Sequence, residues 1–101
     1  MSMAAFPLRV VYMTQKRTEK ESPVQMLISV PKKRFKLAVD RNHVKRQVRE
    51  AYRLHKALLY DVLPPDRQLL LAFVWLSDRR SSSSDVEHRV VSLMQRIAEK
   101  L

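Results

Sequence analysis

Residues 69–76 read Leu-Leu-Leu-Ala-Phe-Val-Trp-Leu, eight apolar residues with no polar interruption. A run of this length, rich in branched and aromatic side chains, is a strand and not a helix, and its lack of alternation predicts a central strand buried on both faces. The fold must therefore be a sheet built around this segment, with helices packed against it.

The other elements follow from period and punctuation. Phe6–Met13 (FPLRVVYM) and Val24–Val30 (VQMLISV) carry strand composition. Pro7 suits an edge position or a strand start. The wholly polar segment Thr14–Pro23 is a loop, and its shortness predicts an antiparallel hairpin between the two strands. A helix is expected from about Val39 to Tyr60, with Asp40 near its positive end. Pro64-Pro65-Asp66 breaks the chain. Ser84 and Glu87 fit a capping box that opens a last helix. In that helix Val86, Val90, Leu93, Met94, Ile97 and Leu101 form one stripe. The order is β-β-α-β-α within a single domain spanning 1–101. The fold class is α+β, a small two-layer α/β sandwich with a mixed sheet, in which the strands flanking the first helix run parallel. The chain starts almost directly on a strand.

Charge points to the partner. The net charge of +10 rests on 20 Lys and Arg against 10 Asp and Glu. Residues 31–56 alone hold ten of those 20 cations and two acids. Such an imbalance argues for a polyanion, either nucleic acid or an anionic membrane surface. Cysteine is absent, which excludes disulfides and thiolate metal sites. Glycine is absent too, so no glycine-rich loop can cradle a nucleotide phosphate. No apolar run approaches the roughly 18 residues that span a bilayer. No signal-peptide pattern precedes the first strand, and the expected location is the cytoplasm.

On a helical wheel Arg41, Lys45, Arg46, Arg49, Arg53 and Lys56 fall in one arc of roughly 140°. Val44, Val48 and Ala51 fall in a neighbouring one. One face can pack on a core while the next presents a ridge of positive charge. Surface helices usually interleave acids at i+4, and here only Glu50 is nearby. Unpaired like charges on successive turns repel unless a ligand neutralises them, and the arginine fork suits phosphate. Asn42 lies in the same arc, where it serves either a ribose or phosphate or the backbone groups of the first turn. Lys32, Lys33, Arg34 and Lys36 widen the footprint, or else protect a strand edge by charge. Phe35 among them reads as a loop anchor before a stacking surface.

Phe6, Tyr12 and Trp75 are strand aromatics of the kind that can stack unpaired bases. Trp75 belongs to the core by its position in the apolar run. Tyr12 is the better candidate for an exposed platform. His43, His55 and His88 show no metal-ligand spacing, and His55 falls in the apolar arc as a packed side chain. No nucleophilic triad, paired carboxylates or metal cluster is present in pattern. The residues alone thus describe a binding protein, and a small ribosomal or DNA-binding module would use the same helix.

The run Lys32-Lys33-Arg34-Phe35-Lys36-Leu37-Ala38-Val39-Asp40-Arg41-Asn42-His43-Val44-Lys45-Arg46-Gln47-Val48-Arg49-Glu50 resembles the signature of the bacterial ribonuclease P protein subunit. Ala38, Val39, Arg41, Asn42, Lys45, Arg46, Arg49 and Glu50 meet the fixed positions of that pattern. The resemblance covers roughly residues 6–101. It implies an accessory subunit of a tRNA-processing endoribonuclease that binds a catalytic RNA and the 5′ leader of precursor tRNA. In such an enzyme the RNA hydrolyses the substrate with magnesium, and no catalytic or metal-binding residue falls on the protein. The resemblance implies RNA contact for Arg41, Asn42, Lys45, Arg46 and Arg49, and the charge pattern adds Lys32, Lys33, Arg34, Lys36 and Arg53 to the RNA-binding candidates. The implied leader cleft lies on the sheet, with Phe6 and Tyr12 as its candidates. The resemblance also implies a left-handed β-α-β crossover and a monomer in a 1:1 ribonucleoprotein. Two features depart from the family: its N-terminal helix is missing here, and Leu27 and Phe35-Lys36 stand where glycines are common.

Overall fold

The computed structural model describes residues 1–18 and 20–101. Its elements are β1 (Ser2–Ala5), β2 (Leu8–Lys16), β3 (Val24–Ser29), α1 (Ala38–His55), α2 (Ala57–Tyr60), β4 (Arg67–Trp75) and α3 (Ser83–Ala98). The four strands form one sheet in the order β1-β2-β4-β3. The apolar run is a central strand, as its composition requires. β4 pairs antiparallel with β2 and parallel with β3.

This arrangement corrects the expected hairpin. β2 and β3 are not neighbours, because β4 inserts between them. The short link joins strands that flank a third one, so its length set their distance but not their pairing. The expected first strand, Phe6–Met13, is β2, which runs on to Lys16 through the start of the expected loop, and an additional strand precedes it. Ser2–Ala5 pairs antiparallel with β2 through Met3↔Val10 and Ala5↔Leu8, and Phe6-Pro7 forms the turn between them. The parallel relation across the first helix holds, with Val24↔Leu69 and Ile28↔Phe73 in register. The long helix is interrupted at Lys56, after which α2 adds one short turn. Among the described residues no helix precedes β2.

Register decides which side chains meet the helices. On β2, Leu8, Val10 and Tyr12 are buried while Arg9, Val11 and Met13 are exposed. On β4, Leu69, Leu71, Phe73 and Trp75 point to the same side as those buried residues. Val44, Val48 and Ala51 of α1 meet them, as do Val86, Val90, Leu93, Met94 and Ile97 of α3. The stripe read along the last helix is thus its core face. Phe35 and Trp75 are in this core, as anticipated.

The opposite face of the sheet carries Leu70, Ala72 and Val74, which are only half-buried. Burial of β4 on both faces is therefore overturned. Helices cover one side, and Val11, Met13 and Leu27 flank the strand's other side in the open. Gln68 is the fully buried polar residue, and its amide is satisfied. It donates to the Ser22 carbonyl at 2.9 Å and accepts from Gln15 Nε2 at 2.7 Å.

The cap of the last helix shifts by two residues. Ser82, not Ser84, accepts from the Asp85 amide at 3.1 Å. Ser82 and Ser84 each have an acid three residues on, Asp85 and Glu87, so the sequence offers the motif in two phases.

Candidate nucleic-acid interface

α1 holds its cationic side away from the core. Asn42, Arg46, Arg49, Arg53 and Lys56 are exposed, and Arg41 and Lys45 are half-buried. The Glu50 carboxylate accepts from Arg53 Nη2 at 2.5 Å and from Arg53 Nε at 3.1 Å. That hydrogen bond holds Glu50 below its ordinary carboxylate range and pushes Arg53 up. Among the described residues, Lys45, Arg46 and Arg49 have no acid within 4 Å. The middle of the ridge is thus uncompensated, over more than one helical turn.

Arg41 differs from its neighbours. Its Nη1 donates to the carbonyls of Phe35 at 2.7 Å and Lys36 at 3.1 Å. The helix start lacks a side-chain cap at Leu37. Arg41, a donor, does not replace that acceptor for the first-turn N–H groups, but it ties the carbonyls of the incoming loop to the helix. Phe35 inserts in the core and fixes the same loop. Together they place exposed Lys32, Lys33 and Lys36 at the N-terminal end of the ridge. Arg34 is half-buried, and its Nε has no partner among the described residues. Asn42 is exposed with no intramolecular side-chain bond among those described, which leaves its amide for a ligand.

The structure adds residues that the sequence concealed. Gln47 Nε2 donates to the Ser81 carbonyl at 2.9 Å and to Ser83 Oγ at 3.1 Å. This clamps the β4–α3 connection onto α1. Arg80 then lies 3.6 Å from Asp40, beside the helix start. No spacing rule links positions 40 and 80, so this juxtaposition had no sequence signal. His55 is half-buried as expected, yet its Nε2 lies 2.7 Å from Glu87 Oε1 and ties α1 to α3.

The two leader candidates separate. Phe6 is 67% exposed on the β1–β2 turn. Tyr12 is only 5% exposed and its strand position faces the helices, so it does not form a stacking platform. The alternation of β2 starts at Leu8, after the turn at Phe6-Pro7, and puts Tyr12 inside. The open face presents Val11, Met13, Leu27, Leu70 and Ala72, which together with Met1 and the strand at Tyr12 and Leu71 line a shallow groove of about 250 Å³. Among the described residues, no group of three or more His, Asp or Glu is placed to hold a metal ion. No described helix is long and apolar enough to cross a membrane.

Comparison with known proteins gives a consistent result. Residues 2–98 match the family model described as Ribonuclease P. The ribonuclease P protein component of Porphyromonas gingivalis is 46% identical over 99 residues, covering 96% of this chain and 71% of the relative. The corresponding protein of Chlorobaculum tepidum is 48% identical over 58 residues, or 52% of this chain and 38% of the relative. Among solved structures, the RNase P protein from Thermotoga maritima superposes with a TM-score of 0.69 at 21% identity, covering 95% of this chain and 82% of that one. The Staphylococcus aureus RNase P protein gives 0.66 at 21% identity, over 98% and 81% of the two chains. At that identity the structural likeness concerns the fold.

Proposed function

The chain belongs to the ribonuclease P protein family, and on that premise we propose that the cationic face of α1 docks the catalytic RNA of the enzyme. As a member of the family it is an accessory subunit of the endoribonuclease that processes tRNA. The observation that carries the docking surface is the uncompensated centre of the ridge. Lys45, Arg46 and Arg49 lie on one side of α1 with no acid at salt-bridge distance among the described residues. A solvated helix gains nothing from that arrangement, whereas a phosphate backbone releases counterions for each cation it meets.

Around this centre, Lys32, Lys33 and Lys36 extend the footprint at the N-terminal end, and Arg53 at the other. Asn42 offers a neutral amide to ribose or phosphate. The buried Nε of Arg34 supports a place for that side chain at the margin of the contact, where an acceptor offsets its desolvation. Arg41 has a double role, with one nitrogen spent on the loop and the rest of its fork turned to RNA.

The leader of precursor tRNA is assigned to the open sheet face. Val11, Met13 and Leu27 are exposed apolar side chains on adjacent strands, and Phe6 stands at the β1–β2 turn. Unpaired bases bury against such a surface without sequence preference. Hydrolysis is assigned to the RNA and the magnesium it binds, while this chain positions and neutralises. The assembly is a 1:1 ribonucleoprotein in the cytoplasm.

Reconstitution tests the function. The protein is mixed with ribonuclease P RNA and precursor tRNA at low magnesium. Cleavage at the 5′ end is expected to accelerate over RNA alone. Unchanged cleavage would contradict the assignment, and cleavage by protein without RNA would place the chemistry on the chain.

A further inference from the structure

Beyond the ridge, the C-terminal half of α1, the short helix α2 and the start of β3 enclose a recess of about 290 Å³. Its floor is Val24 and Met26, and its walls include Tyr52 and Tyr60. Arg49, Arg53 and Lys56 stand at its rim. The Lys56 ammonium lies 5.7 Å from the centroid of the Tyr60 ring, a cation–π arrangement. The recess adds to the cations of the ridge what the rest of the ridge lacks: an apolar floor and aromatic walls.

We infer that this recess holds one unpaired nucleotide of RNA, its base against Tyr60 and Met26 and its phosphate among Arg49, Arg53 and Lys56. The inference rests on the docking role of α1 and adds to it a specific kind of contact. A free phosphate would use the cations and leave the apolar floor without purpose. An acidic peptide would meet the charge but not the aromatic walls, whereas a nucleotide uses all three. The volume of about 290 Å³ lies just under the roughly 300 Å³ at which small-ligand pockets begin, and so accommodates one nucleoside at most. Lys56 keeps helical backbone angles, and α2 follows it so that Tyr60 comes to lie beside Tyr52. Burial, with Tyr60 as neighbour, keeps the Tyr52 phenol above the ordinary tyrosine range and therefore protonated. Tyr52 is thus an uncharged wall, and the Glu50 carboxylate, already bonded to Arg53, leaves Arg49 and Lys56 as the rim cations without a bonded acid among the described residues.

The nucleotide comes either from the catalytic RNA or from the precursor leader, and one reporter distinguishes them. In Tyr60→Trp, fluorescence of the new indole is followed against the constant background of buried Trp75. Quenching by the catalytic RNA alone assigns the nucleotide to that RNA. Quenching that appears only when precursor tRNA joins the complex assigns it to the leader. Either outcome supports the site. No quenching in both cases, with cleavage still stimulated, would overturn it while leaving the docking surface intact. Quenching by inorganic polyphosphate as strong as that by RNA would also overturn it, since no base is then involved. Affinity gives a second arm. Tyr60→Ala is expected to weaken binding by about fivefold or more, in keeping with loss of one stacked base. Tyr60→Phe is expected to retain it. Equal loss in both, with unchanged thermal midpoints, would contradict stacking. Loss of RNA binding by the unmodified protein would instead overturn the docking role itself.

Discussion

Arg41 donates to the backbone carbonyl of Phe35 at 2.7 Å, which ties the first turn of α1 to the loop that delivers three lysines to it. The same nitrogen also reaches the Lys36 carbonyl. A residue that the charge pattern groups with five others is therefore partly structural. The bond explains how a helix start without a side-chain cap keeps its incoming loop in place.

Arg41→Lys conserves the charge and removes the fork. A compact ammonium does not reproduce a guanidinium that bonds two carbonyls and still presents free donors. Faster hydrogen exchange is expected at the amides of residues 36–40, with a salt dependence of RNA binding close to that of the unmodified protein. Unchanged exchange would show that Phe35 alone fixes the loop.

Glu50 and Arg53 form an exposed pair, and its pH dependence has a definite sign. The folded-state carboxyl is held below its ordinary value by the Arg53 hydrogen bond. Its contribution is present above the ordinary glutamate range and is lost as pH falls through the lowered folded value. Because both groups are in water, the effect on stability is small. Carboxyl titration by NMR is expected to place Glu50 below an ordinary glutamate, and Arg53→Gln to return it to the usual range. An unchanged midpoint in that variant would mean that Arg53 is not the cause.

The position of the cap in α3 separates two serines. Ser82→Ala removes the acceptor of the Asp85 amide and is expected to cost about 0.5–2 kcal/mol. Ser84→Ala lies within the helix and is expected to change stability by less than roughly 0.5 kcal/mol. Urea midpoints measure both. Reversal of the order would restore the Ser84 capping box.

The two sides of β2 and β3 respond differently. Tyr12→Ala empties part of the core and is expected to cost about 3 kcal/mol, in the range for large buried rings. Leu27→Ser on the open face is expected to leave stability within roughly 0.5 kcal/mol. It is expected to weaken binding of precursor tRNA that carries a leader, relative to mature tRNA. Equal weakening of both would remove the leader from this face.

How much of this was legible in the chain depends on the range of the interaction concerned. The apolar run 69–76 identified the central strand, because an unbroken apolar run of strand length is a local signature. The stripe of α3 and the ridge of α1 were legible for the same reason, as both are periodic within one element. Strand pairing was not. Whether Val24–Ser29 lies beside β2 or beyond β4 is decided by contacts between distant segments, and the short loop favoured the wrong neighbour. Tyr12 was misplaced because alternation groups it with Leu8 and Val10 without showing which face of β2 the helices cover, and Val11 and Met13 on the other face are also apolar. The open side of β4 was hidden for a different reason. Leu70, Ala72 and Val74 are as apolar as the core residues between them, so composition does not distinguish a covered face from a binding face.

The central claim is that Lys45 and Arg46 neutralise RNA phosphates directly. The measurement that tests it is the affinity of the protein for ribonuclease P RNA across a series of salt concentrations. The variant Lys45→Gln/Arg46→Gln is compared with Arg89→Gln/Lys100→Gln, which removes the same charge from exposed positions on and after α3. The slope of log affinity against log salt is expected to fall by about 1.4–1.8 in the first variant, from roughly 0.7–0.9 per lost phosphate contact, and to change little in the second. Equal slopes in the two variants would contradict the account, since net charge and not the ridge would then set the binding.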